Sequence, residues 1–377
     1  MFTRWGLFVA RARWWILAAG VVLVVVGAAW GSGVFGAVSG GGFNDPGSPS
    51  QRVRDQITSE FGQTEPDLLV LYSSPTRTVD DPVFRSAVTG VLARLAGRPE
   101  VAGVASWYST GLPVYLATDR HATYAAITLR PGADDAKLAD YRAVRDALRA
   151  GGGIRTQFGG ARPFEADANA LTASDIERAE ALSLPILLVL LVVIFGSVVA
   201  AASPLLIGGV AILGAFTVTR LLSQVTEVST FAVNIITLIG LGLSIDYALF
   251  VVGRFREELA APGAAAGQPS TREAVGRTVA TAGRTVAFSG VIVTLALASL
   301  LLFPQGFLKS MAYGGMAAVA VAMVASLTVL PAWLAVLGPR VNAWRLPLPS
   351  RRQWIGDGWA RLASSVMRRP WWYLVGA

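Results

Sequence analysis

The sequence predicts a polytopic α-helical membrane protein that carries one folded α+β domain outside the membrane. Three observations lead to this fold class: 53% of the 377 residues are hydrophobic, the mean hydropathy is +0.53, and only 15% of the residues are charged. Soluble domains carry about 25% charged residues. The apolar residues are gathered into long runs with the charged residues between them, which is typical of a chain that crosses a bilayer repeatedly.

Six apolar runs are long enough to span a bilayer, which takes about 20 residues of helix. They are Trp14–Phe35, Leu182–Ala202, Pro204–Leu222, Phe231–Val252, Val286–Phe303 and Ser310–Leu337. The start of a seventh run follows at 371–377. The first run could instead be a signal peptide with Ala37-Val38-Ser39 as its cleavage site. Its length and its Trp14-Trp15 pair favour a retained helix, since such pairs suit the membrane interface.

Arginine residues predict the orientation of these spans. Arginine is concentrated before the first run, after the fourth and after the sixth, and alternation of six helices places these segments on one side. Short cytoplasmic segments carry an excess of Lys and Arg, so we expect the N-terminus in the cytoplasm and the spans in the plasma membrane. The net charge of +8 is then a topology signal. Nucleic-acid binding is not needed to explain it.

The same reasoning divides the chain into five parts. We expect residues 1–37 to form a short tail and the first span, and residues 38–177 to form the outer domain. Residues 178–337 hold the second to sixth spans. Residues 338–370 form a basic cytoplasmic segment, and residues 371–377 begin a seventh helix that is cut short.

The outer domain reads as a ferredoxin-like fold. The predicted order is β-α-β-β-α-β, the split βαβ arrangement. The strands are Asp67–Ser73, Val101–Trp107, Ala122–Arg130 and Ile154–Phe158, and the helices are Asp81–Ala96 and Asp134–Arg149. Both helices begin with two acids, Asp80-Asp81 and Asp134-Asp135, which we interpret as helix caps. A metal site or an acid/base pair would need carboxylates that face each other, and adjacent residues on a helix do not.

Composition excludes several kinds of chemistry. The chain has no cysteine, which rules out disulfides and thiolate sites, and a single histidine, His121, in a predicted turn of the outer domain. A catalytic triad or a histidine-rich metal centre within the membrane is therefore not expected. We predict no enzyme activity, no catalytic residue, no metal and no cofactor.

One acid stands out within the apolar runs. Asp246 lies about six residues from the predicted cytoplasmic end of the fourth run, where a charged carboxylate costs about 3 kcal/mol. Acids at such depth usually face a bundle interior or a water path and take part in proton relays. Tyr247 adds a hydroxyl group beside it. The sequence predicts that this pair forms a proton relay in a crowded, sealed site; a structural Asp paired with a loop arginine or a backbone donor is the alternative.

Other residues of the fourth and fifth runs could complete that site. Ser289, Asn234 and Thr237 are the remaining polar groups that could shape a proton path. Gly240 and Gly242 would allow a neighbouring helix to pack closely against the fourth run, because glycine presents no side chain.

The two ends of the chain resemble each other. Residues 9–20 and 366–377 align without a gap, and a valine, an arginine, two tryptophans and a leucine coincide. Many transporters consist of two repeats with the substrate or ion site at the interface between them. The match suggests that a second repeat begins near residue 366.

Four motifs carry a resemblance to a known family. They are Gly240-Leu-Gly-Leu-Ser-Ile-Asp246-Tyr247-Ala-Leu-Phe250 with Arg254-Phe-Arg256-Glu-Glu258, then Thr281-Ala-Gly-Arg284-Thr-Val-Ala-Phe-Ser289, then Leu300-Leu-Leu-Phe-Pro304-Gln-Gly-Phe-Leu-Lys-Ser310, and the run Gly42 to Ser48. The whole chain resembles the N-terminal half of the mycobacterial membrane protein large (MmpL) transporters of the resistance-nodulation-division superfamily. The motifs are most similar to those of the trehalose monomycolate flippases in that family.

The resemblance implies a function and partners. In that family, an Asp-Tyr pair on the fourth helix and a second pair on the tenth form the proton relay, and lipids pass through the outer porter domain. It implies proton-driven export of a cell-envelope lipid or glycolipid, with the relay at Asp246 and Tyr247, and a second half-transporter or C-terminal repeat as partner. The alternatives are a non-transporting assembly or scaffold subunit, an inactive half-transporter fragment, and a related protein-translocation motor, against which the motifs argue.

Overall fold

In the computed structural model, the described residues are 1–38, 45, 47–62, 65–132, 134–261, 270–344, 361–371 and 373. Within them, six helical stretches are long and apolar enough to cross a membrane. From the first span to the sixth, these are Arg13–Gly36, Glu177–Phe195, Val198–Leu222, Phe231–Ala260, Thr271–Leu302 and Gly306–Asn342. The predicted fold class is therefore confirmed.

The boundary between the second and third spans differs from the prediction. The second span ends at Phe195, and the third begins at Val198, whereas the apolar runs placed the break near Pro204. Gly196 adopts a left-handed conformation with φ of 62°, which ends the helix, and Ser197 caps the next one. The buried Ser197 hydroxyl also donates to the Val341 carbonyl at 3.0 Å, so a turn and not the apolar run sets this boundary.

The first, fifth and sixth spans are made of several helical pieces. The first consists of Arg13–Ala29 and the 3-10 segment Gly31–Gly36. The fifth consists of Thr271–Thr278, the π-helical turn Val279–Gly283, Arg284–Ala298 and the 3-10 turn Ser299–Leu302. The sixth consists of Gly306–Leu327, Val329–Leu337 and the 3-10 turn Gly338–Asn342. The fifth span begins 15 residues before the predicted Val286, because a polar capping box at Ser270 and Glu273 starts it outside the apolar run.

The third, fourth and sixth spans pack against one another and form the centre of the bundle, and the fifth span packs on the sixth. Glycine makes this contact close. A Cβ atom added to Gly314 would lie 2.6 Å from the Ala232 carbonyl oxygen, and one added to Gly214 would lie 2.6 Å from the Val321 side chain. Small residues at helix crossings allow such approach in membranes, where packing replaces the hydrophobic effect.

The outer domain contains a four-stranded antiparallel sheet of β1 (Leu68–Ser73), β2 (Val101–Ser106), β3 (Ala122–Leu129) and β4 (Arg155–Gly159). The strand order is β2-β3-β1-β4, the order of a ferredoxin-like sheet, as predicted. Alternate residues of β1 and β3 point into one apolar core with the helices Pro82–Ala96 and Asp134–Val144. Short helical pieces lie at Trp107–Thr110, Pro113–Tyr115 and Asp146–Leu148.

The polar groups of this domain have structural roles where they are described. The Asp81 carboxylate accepts from the backbone N–H groups of Val83 and Phe84, which confirms it as a helix cap. The side chains of Asp134 and Asp135 lie outside the described residues. The His121 ring contacts the carbonyl oxygens of Ser74 and Arg77 at 3.2 and 3.0 Å through Nδ1, so it fixes a turn.

Several helical segments in the described part of the chain were not predicted. Phe2–Arg11 precedes the first span, and Pro49–Phe61 lies in the outer segment with none of its residues buried. A third is an extension of the second span: Ala161–Phe195 is one helix of 35 residues that runs from the sheet into the membrane region. Near the end of the chain, residues 361–368 are helical.

Candidate functional site

The fourth span forms one long helix, Phe231–Ala260, because its residues are largely apolar and lack proline. Its buried side faces the third and sixth spans. Its opposite side carries four exposed residues spaced four apart, which places them on one face of the helix. We call this face the open stripe: Leu238, Gly242, Asp246 and Phe250.

Asp246 lies in the middle of the open stripe, where its side chain is exposed on the surface of the bundle. The described part of the chain does not seal Asp246, because helical periodicity turns it away from the third and sixth spans, and the sealed site stays a prediction. Among the described residues, no Lys or Arg forms an ion pair with its carboxylate. The interpretation of a structural Asp held by an arginine receives no support from this part of the chain.

Tyr247 lies on a neighbouring face of the helix and points into the bundle. Its side chain is buried within the apolar cluster formed by several spans, including Val251 and Val286. The hydroxyl lies 3.5 Å from the Ser289 Oγ atom of the fifth span, at the long limit of a hydrogen bond. The structure thus brings together two of the residues that the sequence singled out, and the contact crosses between spans.

Ser289 lies at the surface of the fifth span, in an open groove of about 530 Å³. The groove is lined by Arg284, Thr285, Phe288, Ser289, Ile292 and Val293. The Arg284 guanidinium lies 5.6 Å from the centre of the Phe288 ring, at the end of the groove nearer the π-helical turn. A partly buried polar contact between spans therefore reaches the surface at Ser289.

Asn234 and Thr237 do not join this cluster. The Thr237 hydroxyl donates to the Asn234 carbonyl oxygen at 3.0 Å, within the same helix. At a rise of 1.5 Å per residue, they lie about 18 and 14 Å from Asp246 along the helix axis. Their role in a proton path remains a prediction.

The two glycines singled out on the fourth span differ in their surroundings. A Cβ added to Gly240 would lie 3.5 Å from the Ala318 Cβ, an ordinary packing distance to the sixth span. Around Gly242, no other described element lies within 4 Å of such an atom. A closer approach lies elsewhere: a Cβ on Gly290, next to Ser289, would lie 2.6 Å from the Met323 sulfur. Sequence reasoning missed this contact, although Gly283 and Gly290 are seven residues apart and therefore lie on one face of the helix, a signal that could have found it.

A charged network lies at one end of the same two spans. The buried Glu258 carboxylate accepts from Arg254 at 2.6 Å and lies 3.8 Å from Arg277 of the fifth span. Arg254 also donates through Nε to the Thr281 hydroxyl at 3.3 Å, inside the π-helical turn. Sequence reasoning used these arginines as an orientation signal and named Arg254 and Glu258 within a motif. It did not predict the network, because the pairing depends on how the two helices meet.

Comparison with known proteins covers nearly the whole chain. The MMPL family description matches residues 42–373. The trehalose monomycolate exporter MmpL3 of Mycobacterium tuberculosis is 35% identical over 98% of this chain. The protein of the same name from Mycolicibacterium smegmatis is 36% identical over 98%. The heme uptake protein MmpL11 of Mycobacterium tuberculosis is 32% identical over 96%.

This chain spans about two fifths of the length of these relatives: 42%, 40% and 37% respectively. The similarity agrees with the resemblance of the sequence motifs to trehalose monomycolate flippases. These relatives are named as transporters rather than as enzymes, in agreement with the expectation of no enzyme activity.

Proposed function

Since this chain belongs to the MMPL family, we propose that it takes part in proton-driven export of a cell-envelope lipid or glycolipid across the plasma membrane. The observation that carries this proposal is the pair Asp246 and Tyr247, of which Asp246 is exposed on the surface of the fourth span and Tyr247 is buried against the fifth. Asp246 takes up a proton at the bundle surface, and Tyr247 links that position to the fifth span through Ser289.

The open stripe supports a partner for this bundle. A carboxylate that faced hydrocarbon alone would cost several kcal/mol, and intramembrane acids almost always face a protein interior or a water-filled cavity. A second six-helix half, from a C-terminal repeat or a separate chain, would cover Asp246 and enclose the relay. The alignment of residues 9–20 with 366–377 and the two-repeat plan of many transporters are consistent with this arrangement.

The orientation follows from the arginines. With the N-terminus in the cytoplasm, residues 38–177 lie outside, and the outer sheet is the part of the chain that meets the lipid. Proton entry at Asp246 shifts the fourth and fifth spans, and the helix Ala161–Phe195 carries that movement to the outer domain.

The test is Asp246→Asn, expressed in the native cell envelope so that any partner is present. Export of a fluorescent trehalose glycolipid is measured in membrane vesicles, with and without a protonophore. We expect the variant to lose the proton-dependent part of export while it retains its level in the membrane, because Asn cannot take up the proton. Glu227→Gln, in the loop before the fourth span, is the matched control and should export normally.

Proton-dependent export by Asp246→Asn at the wild-type rate would contradict the mechanism. The alternative function, a non-transporting scaffold subunit, predicts a different outcome. It would leave export independent of both Asp246 and Ser289, while deletion of the outer domain would disrupt the assembly of other envelope proteins.

A further inference from the structure

The N-terminal helix Phe2–Arg11 has two faces of different chemistry. One face is buried at Gly6, Val9 and Ala10. The other face carries Arg4, Phe8 and Arg11, all exposed and spaced four and three residues apart, so that they lie in line. We call these three residues the basic stripe.

The buried face fixes the helix to the start of the fifth span. A Cβ added to Gly6 would lie 3.0 Å from the Gly276 Cα and 3.1 Å from the Val275 carbonyl oxygen, so the two backbones touch. The Trp5 indole N–H donates to the Leu327 carbonyl oxygen at 3.1 Å, at the end of the first helix of the sixth span. The helix is therefore held at the end of the bundle, with its basic stripe turned outward.

The residues that follow place this end at a membrane surface. Arg13 donates to the Ala335 carbonyl oxygen of the sixth span at 3.1 Å, and the Trp14 and Trp15 side chains are exposed. Exposed tryptophans at the start of a span sit at the level of the lipid headgroups. Arg4 and Arg11 form no ion pair with any acid in the described parts of the chain.

From these contacts we propose that the basic stripe binds the headgroups of anionic phospholipids on the side of the membrane where the N-terminus lies. Charge complementarity supports this partner, since two arginines flank one aromatic ring on an amphipathic helix, and anionic headgroups supply the missing negative charge. The Phe8 ring, which lies 5.7 Å from the Trp5 ring, enters the boundary between headgroups and acyl chains.

The absence of cysteine from the chain allows a direct test. Phe8→Cys introduces a single thiol, which is labelled with a fluorophore that brightens in an apolar environment. The whole chain in detergent micelles is titrated with phosphatidylglycerol, and in parallel with phosphatidylcholine of the same acyl chains. We expect saturable brightening with phosphatidylglycerol at concentrations at least tenfold lower than with phosphatidylcholine.

Two further variants test the role of charge. A basic residue near an anionic surface contributes about fivefold to binding, so Arg4→Gln with Arg11→Gln should weaken phosphatidylglycerol binding by about 25-fold. Arg4→Lys with Arg11→Lys keeps the charge and should bind within threefold of the parent. A label at Val83→Cys, exposed in the outer domain, should not respond.

Equal responses to both lipids would overturn the proposal, because the helix would then be an ordinary apolar anchor. An unchanged response of the Gln variant, with an unchanged melting temperature, would overturn it as well. Brightening only on addition of an acidic protein fraction would assign the basic stripe to a protein partner and contradict the lipid. None of these outcomes depends on transport, so they are separate from the test at Asp246.

Discussion

At the scale of single residues, the Tyr247 hydroxyl makes a polar contact between the fourth and fifth spans that is separate from the charged network at Glu258. Its ring is buried, and its contact with Ser289 is long at 3.5 Å. We expect Tyr247→Phe to preserve the fold within about 1 kcal/mol, because a long hydrogen bond contributes little. Proton-dependent export should nevertheless fall about tenfold or more if the hydroxyl passes the proton.

Ser289→Ala is the companion variant, since it removes the other half of the same contact. Export in vesicles and the melting temperature are measured together for both variants. Normal export by Tyr247→Phe would remove the tyrosine from the relay and leave Asp246 to act alone.

Two tyrosines of the outer domain predict how the domain responds to alkaline pH. Burial raises the pKa of Tyr108 to about 12 and also raises the pKa of Tyr72 above its ordinary value near 10. Their hydroxyls donate to the carbonyl oxygens of Val79 and Leu148 at 2.7 and 3.0 Å. The unfolded chain therefore releases these protons first, so their contribution to stability is complete below pH 10 and is lost as the pH rises toward 12.

Hydrogen exchange of β1 and β3 in the intact chain measures this effect. Protection of the strands should fall between pH 10 and 12. In Tyr108→Phe, protection should fall less steeply with pH over this range. An equal fall of protection with pH in the parent and in Tyr108→Phe would show that other groups cause the loss of stability at alkaline pH.

Residue-level sequence reasoning singled out residues where the signal was a rare residue in an unusual place, and their role in a proton relay stays a prediction. Asp246 was found because an acid in an apolar run is costly, and Ser289 because it was one of few hydroxyls nearby. The exposure of Asp246 could not be predicted, because it depends on which side of the fourth helix the third and sixth spans occupy.

At the scale of elements, glycine sets the distance between the fourth and sixth spans. Gly314→Ala would place a Cβ 2.6 Å from the Ala232 carbonyl oxygen, a backbone atom that cannot move freely. We expect a loss of about 1–3 kcal/mol in stability, as overpacking typically costs. Thermal unfolding in detergent gives the measurement.

Gly209→Ala is the matched control, because no other described element lies within 4 Å of a Cβ at that position. Its effect should stay within about 1 kcal/mol and is expected to be favourable, since alanine forms helix more readily than glycine. Equal losses in both variants would mean that helix propensity, and not the contact with Ala232, controls stability.

The boundaries of the elements show what hydropathy cannot supply. An apolar run continues through Gly196 and Ser197 without a change in composition, yet the helix ends there because of a left-handed glycine and a capping serine. The helices Phe2–Arg11 and Pro49–Phe61 were missed for a related reason: they are amphipathic or polar, so hydropathy does not mark them. Pro49–Phe61 also carries a start signal that was not used, the Ser48 cap followed by Pro49. The sheet order was predictable because the split βαβ pattern has few solutions.

At the scale of the whole molecule, the open stripe predicts where a second half would pack. Gly242→Phe adds a large ring at a position with no other described element nearby, so the bundle itself should unfold at the same temperature. If a second half covers the stripe, the ring will separate the two halves and export should fall at least tenfold.

Leu206→Phe is the control, since Leu206 is exposed on a different span, the third, and does not belong to the stripe. Both variants are compared for export and for copurification with any partner from the native membrane. Unchanged export and copurification by Gly242→Phe would place the second half on a different face of the bundle.

The helix Ala161–Phe195 also has a mechanical consequence. Its 35 residues make a rod about 52 Å long, and it contains Pro185, which has no N–H to donate to the carbonyl of Ala181. The helix can bend more easily at this missing bond, and the helical segment from Pro185 to Ala161 is about 36 Å long. A bend of only about 5° at Pro185 would swing the far end, and the sheet strand joined to it, by about 3 Å. A small bend at Pro185 would thus be amplified along the helix into a displacement at the outer domain about as wide as a water molecule.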